Sequence, residues 1–309
     1  MSGKGLLVIG DVVTDVVARH GTPVRPGSDI PADIMLRPGG SGANTASWAA
    51  HLGGDVRLLA RCGYDSSDWH IAELVKAGVI PHVRIDPTSP TAVVIAMVDG
   101  TGERSMLTNR GAGGLISAAD WDDALLDGVA RLHVSGYTLF GEGGLHLARL
   151  AMARAAAAGI AISVDPASTG PLRDFGVERF LHESAPAHLI FPNLDEALLL
   201  SGATTPERAA EVLSERYGTA VVKLGSQGAL VASGGQMIAQ ADPVLASPVD
   251  STGAGDAFAA GYLTAILEGA GERAALLAGC QAGARSVALI GGRPGYGLDA
   301  KRLYPIHTD

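Results

Sequence analysis

The chain has 309 residues, 47% hydrophobic and 18% charged, with only 5% aromatic residues and 42 glycines, which excludes a disordered chain and a module too small to bury a core. A net charge of −9, from 23 basic and 32 acidic residues, excludes the basic footprint of a nucleic-acid binder. Two distant cysteines, Cys62 and Cys280, exclude a disulfide framework and a cysteine metal cluster. No apolar run is long enough to span a bilayer or to serve as a signal peptide, so the reading is a cytoplasmic protein with no membrane and no nucleic-acid partner.

Taken in order, Leu6-Leu7-Val8-Ile9 reads as a buried strand closing on the turn Gly10-Asp11. Residues 17–38 carry Gly21, Pro23, Pro26, Gly27 and Pro31, and read as loop or short edge strands. Residues 44–52 read as a helix stopped by Gly53-Gly54. A strand over 56–60 and a helix over 67–77 follow. The β-rich runs 91–98 and 104–107, separated by Asp99-Gly100, read as a hairpin. Strands at 132–135, 160–164, 188–191 and 220–224 then alternate with helices at 145–157 and 206–217.

That alternation predicts an α/β fold with a mostly parallel sheet covered on both faces. It is broken near residues 12–37 and 88–109, which can supply strands to a small second sheet. Asp11, Asp165, Asn193 and Gly225 all fall at predicted strand ends. Ligands of such sheets bind beyond the carboxyl ends of the strands, so one shared edge is predicted as the active site.

Two segments carry the chemistry. Asp250-Ser251-Thr252-Gly253-Ala254-Gly255-Asp256-Ala257-Phe258 places small residues and an acid at the start of a helix running to about residue 267. Exposed N–H groups and the helix dipole there attract an anion, and Asp256 beside them can take a proton from a hydroxyl. The same residues also fit an ordinary turn with a first-turn acid. Pro38-Gly39-Gly40-Ser41-Gly42-Ala43-Asn44 lets backbone approach a small ligand, with Asn44 as donor and acceptor or simply as a helix cap. This second segment has the spacing of neither a Walker A loop nor a dinucleotide fingerprint.

The second segment resembles the N-terminal signature of the ribokinase-like (PfkB) carbohydrate kinases, and the first is very similar to their C-terminal signature. The likeness runs over residues 8–295. It implies a three-layer α/β/α ribokinase-like domain over residues 1–309, with a small β-sheet lid drawn from about 12–37 and 88–109. It implies ATP-dependent phosphorylation of a hydroxyl of a sugar-like substrate with Mg²⁺. Asp256 matches the general base, and Gly253, Ala254 and Gly255 match the anion hole. Asp15, Gly40, Ser41 and Asn44 match substrate-contacting positions, and Arg104 and Arg110 lie where a lid arginine can reach the substrate.

Asn193 and Glu196 match a pair linked to phosphate and, through water, to Mg²⁺. Lys223, Gly225 and Gly228 resemble the strand and loop that meet the nucleotide. Cys280 stands near where relatives often place an asparagine beside adenine, a departure from the pattern. Asp250 and residues 286–292, beginning at Ser286, resemble a monovalent-cation loop for an ion such as K⁺. A homodimer through the lid is implied by analogy. Ribose, fructose, 2-keto-3-deoxygluconate and nucleosides all stay open as substrates, with Trp48, Trp69, Tyr64 and Tyr137 as aromatic candidates for stacking on a nucleoside base. A non-catalytic sensor on the same fold is the reading from another class.

Overall fold

A computed structural model describes residues 3–100 and 104–295, without the side chain of Arg104. The chain begins with β1 (Gly5–Ile9), β2 (Val13–Arg19), β3 (Asp33–Gly39), α1 (Ser41–His51), β4 (Val56–Gly63), α2 (Ser67–Lys76) and β5 (Ile80–Asp86). Next come β6 (Ala92–Val98), β7 (Arg104–Asn109), short 3-10 turns, β8 (Val129–Ser135), α3 (Gly136–Leu139) and α4 (Glu142–Ala157). β9 (Ala161–Asp165), α5 (Thr169–Phe175), α6 (Val177–Glu183), β10 (Leu189–Ile190), α7 (Leu194–Ser201) and α8 (Pro206–Tyr217) follow. The described chain closes with β11 (Thr219–Lys223), β12 (Ala229–Ser233), β13 (Gln236–Ala241), α9 (Ala254–Leu267) and α10 (Glu272–Val287).

The main sheet has the order β13-β12-β11-β10-β9-β8-β1-β4-β5 among the described residues. Its pairs are parallel except for β12, which runs antiparallel to β11 and β13. In β1, Leu6 and Val8 enter a core shared with α1, α9 and α10, while Leu7 and Ile9 enter one shared with α4 and α8. A strand buried on both faces must be apolar at every position, which is why β1 reads as an unbroken hydrophobic run. The result is three layers, helix on sheet on helix.

The small sheet has the order β3-β2-β6-β7. Register places Asp15 beside Arg37 and Val94, and Leu36 beside Val16. Alternation therefore gives the sheet one face bearing Asp15 and another bearing Leu36, Ile95 and Leu107. At its root, Thr14 Oγ1 meets His70 Nε2 of α2 at 2.9 Å, and His70 is fully buried.

Three departures from the sequence reading have physical causes. Helix α1 starts at Ser41 rather than at 44, so Asn44 lies inside the first turn and is not the cap; Gly40, at φ 96°, is. The edge strand β5 escapes detection because Pro81, His82 and Arg84 interrupt its alternation, and an edge tolerates proline. The hairpin β12–β13, turning on Gly234-Gly235 at positive φ, and the Ala- and Leu-rich helix α10 add to the expected elements and pack on β11 and α9.

Candidate functional site

Two helices begin at one edge of the main sheet. Helix α9 starts on Gly253, whose φ of 73° and close approach to Gly292 leave no room for a side chain; a Cβ there would lie 2.5 Å from Gly292 Cα. A helix start presents amides with no intrahelical acceptor. Here the Ala254 amide turns back to the Ser251 carbonyl at 3.3 Å. A Cβ on Gly255 would lie 3.2 Å from Lys223 Nζ, so an ammonium stands directly beside this turn. Lys223 Nζ pairs with Asp165 Oδ2 at 2.6 Å, and both side chains are nearly buried. Burial acts to lower the lysine's pKa, but Asp165 and Glu196 outweigh it and hold the value up.

Asp256 lies in the first turn of α9 and does not cap its own helix. Its carboxylate reaches across to α1 instead. Ser41 Oγ donates to Oδ1 at 2.8 Å, and Asn44 Nδ2 donates to Oδ2 at 2.9 Å. Burial pushes the Asp256 pKa up to about 7, aided by Asp165 and opposed by Asn44, Ser41 and Lys223. Asn44 Oδ1 is buried with no hydrogen-bond partner among the described residues, so an acceptor atom is left for a ligand hydroxyl.

The start of α1 is fixed from below. Gly42 N donates to Asp11 Oδ1 at 3.1 Å, and Ala43 N donates to the Asp11 carbonyl at 3.1 Å. Gly42 also packs against Gly10 so closely that a Cβ on Gly10 would lie 2.6 Å from Gly42 Cα. Beneath Ser41, the buried Ser135 Oγ approaches its hydroxyl at 3.4 Å. Burial raises the Asp11 pKa, while the Gly42 amide and the charge of Arg110 oppose the rise. Tyr137 belongs to the same cluster. Burial, with Asp11 and Asp256 nearby, pushes its phenol up to about 12.

Asp15 projects from the small sheet toward this edge. A side chain on Gly39 would collide with its carboxylate, so the glycine makes its space. Burial and the charge of Asp11 push Asp15 up to about 7, against the pull of Arg293. The buried Arg293 donates to the Gly39 carbonyl at 2.9 Å and so braces the loop carrying Gly40 and Ser41. Arg110 is exposed just past β7. The side chain of Arg104 lies outside the described residues.

Asn193 and Glu196 form a reciprocal cap on α7. The Asn193 amide and Nδ2 each donate to Glu196 at 2.8 Å, and Asn193 Oδ1 accepts from Glu196 N at 2.9 Å. Glu196 is nonetheless pushed up to about 7 by burial and by Asp165. Gly225 borders open space, whereas Gly228 is required by packing against Ala241 of β13. Cys280 is buried in the layer between α10 and the sheet, and burial raises its thiol. Asp250 Oδ1 accepts from Thr252 N and Oγ1, and its Oδ2 accepts from Gly291 N. Ser286 Oγ is buried without a hydrogen-bond partner among the described residues.

The structure thus brings together Asp256, Ser41, Asn44, Gly253, Gly255 and Lys223, with Asp15 facing them from the small sheet and Glu196 alongside through Asp165. Asp11 and Asp165 were visible in the sequence only as strand-end acids; Arg293 and Ser135 carried no signal at all. Trp48 is core, donating from Nε1 to the Gly292 carbonyl, and Tyr64 is exposed. A base with two oxygens in place, a charged ammonium and a helix start can together deprotonate a hydroxyl and stabilise a transferring anion. Among the described residues, no group of three or more His, Cys, Asp or Glu is arranged to hold a metal directly.

A family model described as pfkB family carbohydrate kinase matches residues 4–295. A fructokinase from Escherichia coli is 31% identical over 278 residues, covering 86% of this chain and 85% of that one. The structure of adenosine kinase from Sinorhizobium meliloti matches with a TM-score of 0.85 at 25% identity, covering 95% of this chain and 96% of that chain. That of a candidate ribokinase II from E. coli in complex with ATP and Mg²⁺ matches with a TM-score of 0.83 at 26% identity, covering 93% and 94%.

Proposed function

Because the chain belongs to the pfkB family of carbohydrate kinases, and is on that footing an ATP-dependent kinase, we propose that it transfers the terminal phosphoryl group of ATP to a sugar hydroxyl with Asp256 as the base. The observation that carries this reading is the Asp256 carboxylate, held by Ser41 and Asn44 at the mouth of α9 beside Lys223. The acceptor hydroxyl gives its proton to Asp256, its oxygen bonds to phosphorus, and ADP leaves. Gly253, Ala254 and Gly255 offer backbone dipoles to the transferring group, and Lys223 adds a positive charge. Asp15, Gly40, Asn44 and Arg110 orient the acceptor, with Asp15 accepting from its other hydroxyls.

Mg²⁺ bound with ATP neutralises phosphate charge. The buried Glu196, with Asp165 nearby, offers hard oxygens that fit such an ion through water. Asn193, Gly225 and Gly228 border the nucleotide in this reading, and Cys280 backs the adenine side. Asp250 and Ser286 hold a monovalent ion such as K⁺, a reading favoured by the unpartnered Ser286 hydroxyl. The whole chain acts as one kinase domain, with the small sheet as its lid. The lid's outer face exposes Ile34 at 65%, Leu36 at 60% and Leu107 at 59%, which favours a homodimer through it. A reducing, cytoplasmic setting fits two buried, unbridged cysteines.

Sugars and nucleosides are both reasonable acceptors, since the relatives include a fructokinase and an adenosine kinase. The position of Tyr137 beside Asp11 and Asp256 specifically favours testing nucleosides. ADP release should be measured with pentoses, hexoses, keto-acid sugars and nucleosides, for the wild type and for Asp256→Asn. Turnover with one class, lost in the variant, supports the reading; an Asp256→Asn enzyme of normal turnover removes Asp256 as the base. Tight binding of a sugar or nucleoside with no turnover on any of them makes the protein a sensor instead.

A further inference from the structure

The Asp256 carboxylate carries one side-chain donor on each oxygen. Ser41 Oγ donates to Asp256 Oδ1 at 2.8 Å, a normal distance for a hydroxyl on a carboxylate, and the other oxygen takes Asn44 at 2.9 Å. An acceptor hydroxyl needs one of these two oxygens. Asn44 is buried inside α1, so its amide is the less mobile of the two donors. Ser41 is the first residue of α1, part-exposed, with a second partner at hand in Ser135 Oγ, 3.4 Å away. A turn about its Cα–Cβ bond moves Oγ off Oδ1. Its backbone cannot follow, because Asp11 holds the amides of Gly42 and Ala43 and because Gly42 is pressed on Gly10.

A bare Oδ1 would be open to water. Water bound there would lose a proton to Asp256 while its oxygen bonds to the terminal phosphorus of ATP; the bond from that phosphorus to the bridging oxygen would break and ADP would leave. The product would be inorganic phosphate, with no acceptor modified. A serine hydroxyl in that place is fixed by its helix and excludes the water molecule. We propose that Ser41 guards the base, occupying Asp256 until an acceptor hydroxyl displaces it and so suppressing wasteful ATP hydrolysis. The inference rests on the reading of Asp256 as the base. It gives Ser41 a positioning and gating role beyond contact with the acceptor.

The main readout, background ADP release, needs no acceptor. ADP release from ATP and Mg²⁺ is measured without any sugar for the full chain, Ser41→Ala, Ser41→Thr, Asp256→Asn and the double variant S41A/D256N. Ser41→Ala should raise this background by about tenfold, the effect of one ordinary hydrogen bond. Ser41→Thr, which keeps the hydroxyl, should restore a low rate. The double variant should lose the gain. The acid limb of the Ser41→Ala rate profile should move to higher pH, because the removed donor favours the ionised carboxylate; a merely structural defect moves no such limb. A background in Ser41→Ala equal to wild type overturns the proposal, as does a gain that survives in the double variant. Failure of the underlying reading looks different: Asp256→Asn then keeps acceptor turnover. Should Ser41→Ala not fold, Ser41→Cys, similar in size but a poor donor, takes its place with the same expected rise and the same overturning result.

Discussion

Helices α1 and α9 start at the same edge of the sheet, both on a glycine of positive φ and both without a side-chain cap of their own, yet their acids are used in opposite ways. At α1 the acid, Asp11, comes from the strand side and is spent on backbone amides. At α9 the acid, Asp256, sits inside the turn and is held only by side chains of the other helix. A carboxylate bonded to amides of a packed backbone is fixed structure. One bonded to two side chains can exchange a partner for a ligand. On the proposed reading the difference separates an anchor from a reacting group, although both are aspartates at one edge of the sheet with raised pKa values.

Substitutions sharpen this contrast, beginning with the largest effect. Asp256→Asn should lower turnover by roughly 10²–10⁴-fold while leaving the melting temperature at about pH 5, where Asp256 is protonated, nearly unchanged, as steady-state kinetics and calorimetry would show. Lys223→Met should destabilise the fold by about 3–5 kcal/mol, read from denaturant midpoints, because it strands the buried Asp165. Asp11→Ala should cost about 0.5–2 kcal/mol, the range of a lost helix cap, and slow turnover as Ser41 and Asn44 lose register with the base. If Asp11→Ala behaves like Asp256→Asn, unchanged in stability and inactive, the distinction between anchor and reactant fails. Asp15→Ala should chiefly raise the apparent KM for the acceptor; an unchanged KM removes Asp15 from the site.

The smallest effect concerns pH. Asp15, Glu196 and Asp256 have folded pKa values of about 7, above those of free carboxyls. Between about pH 4 and 7 the folded protein therefore binds more protons than the unfolded chain. Stability of the ligand-free protein should be highest at the acid end of that window and fall as pH rises through 7. With Asp256 as the proposed base, activity needs its ionised form and should rise over the same interval. Melting curves from pH 5 to 8 should show the decline, and Asp256→Asn should flatten it.

The sequence made the two helix starts legible because their residues are contiguous, and the spacing from Gly253 to Asp256 carries its chemistry on a single turn. The parallel sheet was legible from its apolar runs. What stayed hidden was set by strand order. Lys223 meets Asp165 only because β9, β10 and β11 lie side by side, 58 residues of separation notwithstanding. Arg293 reaches the Gly39 carbonyl across 254 positions. Gly228 reads in the sequence as a nucleotide contact, and its conformation is also demanded by β13. Local pattern cannot tell a glycine required by a neighbouring strand from one reserved for a ligand.

The bond between Thr14 and His70 pins β2 to the body one residue before Asp15. A lever bolted at residue 14 sweeps widely at its free end near Arg19 and scarcely at all beside the bolt. On the proposed reading of the small sheet as a lid and Asp15 as a contact to the acceptor, swinging the sheet outward would widen the entrance while the carboxylate keeps nearly the same address, so the grip on a sugar would precede the closing of the door.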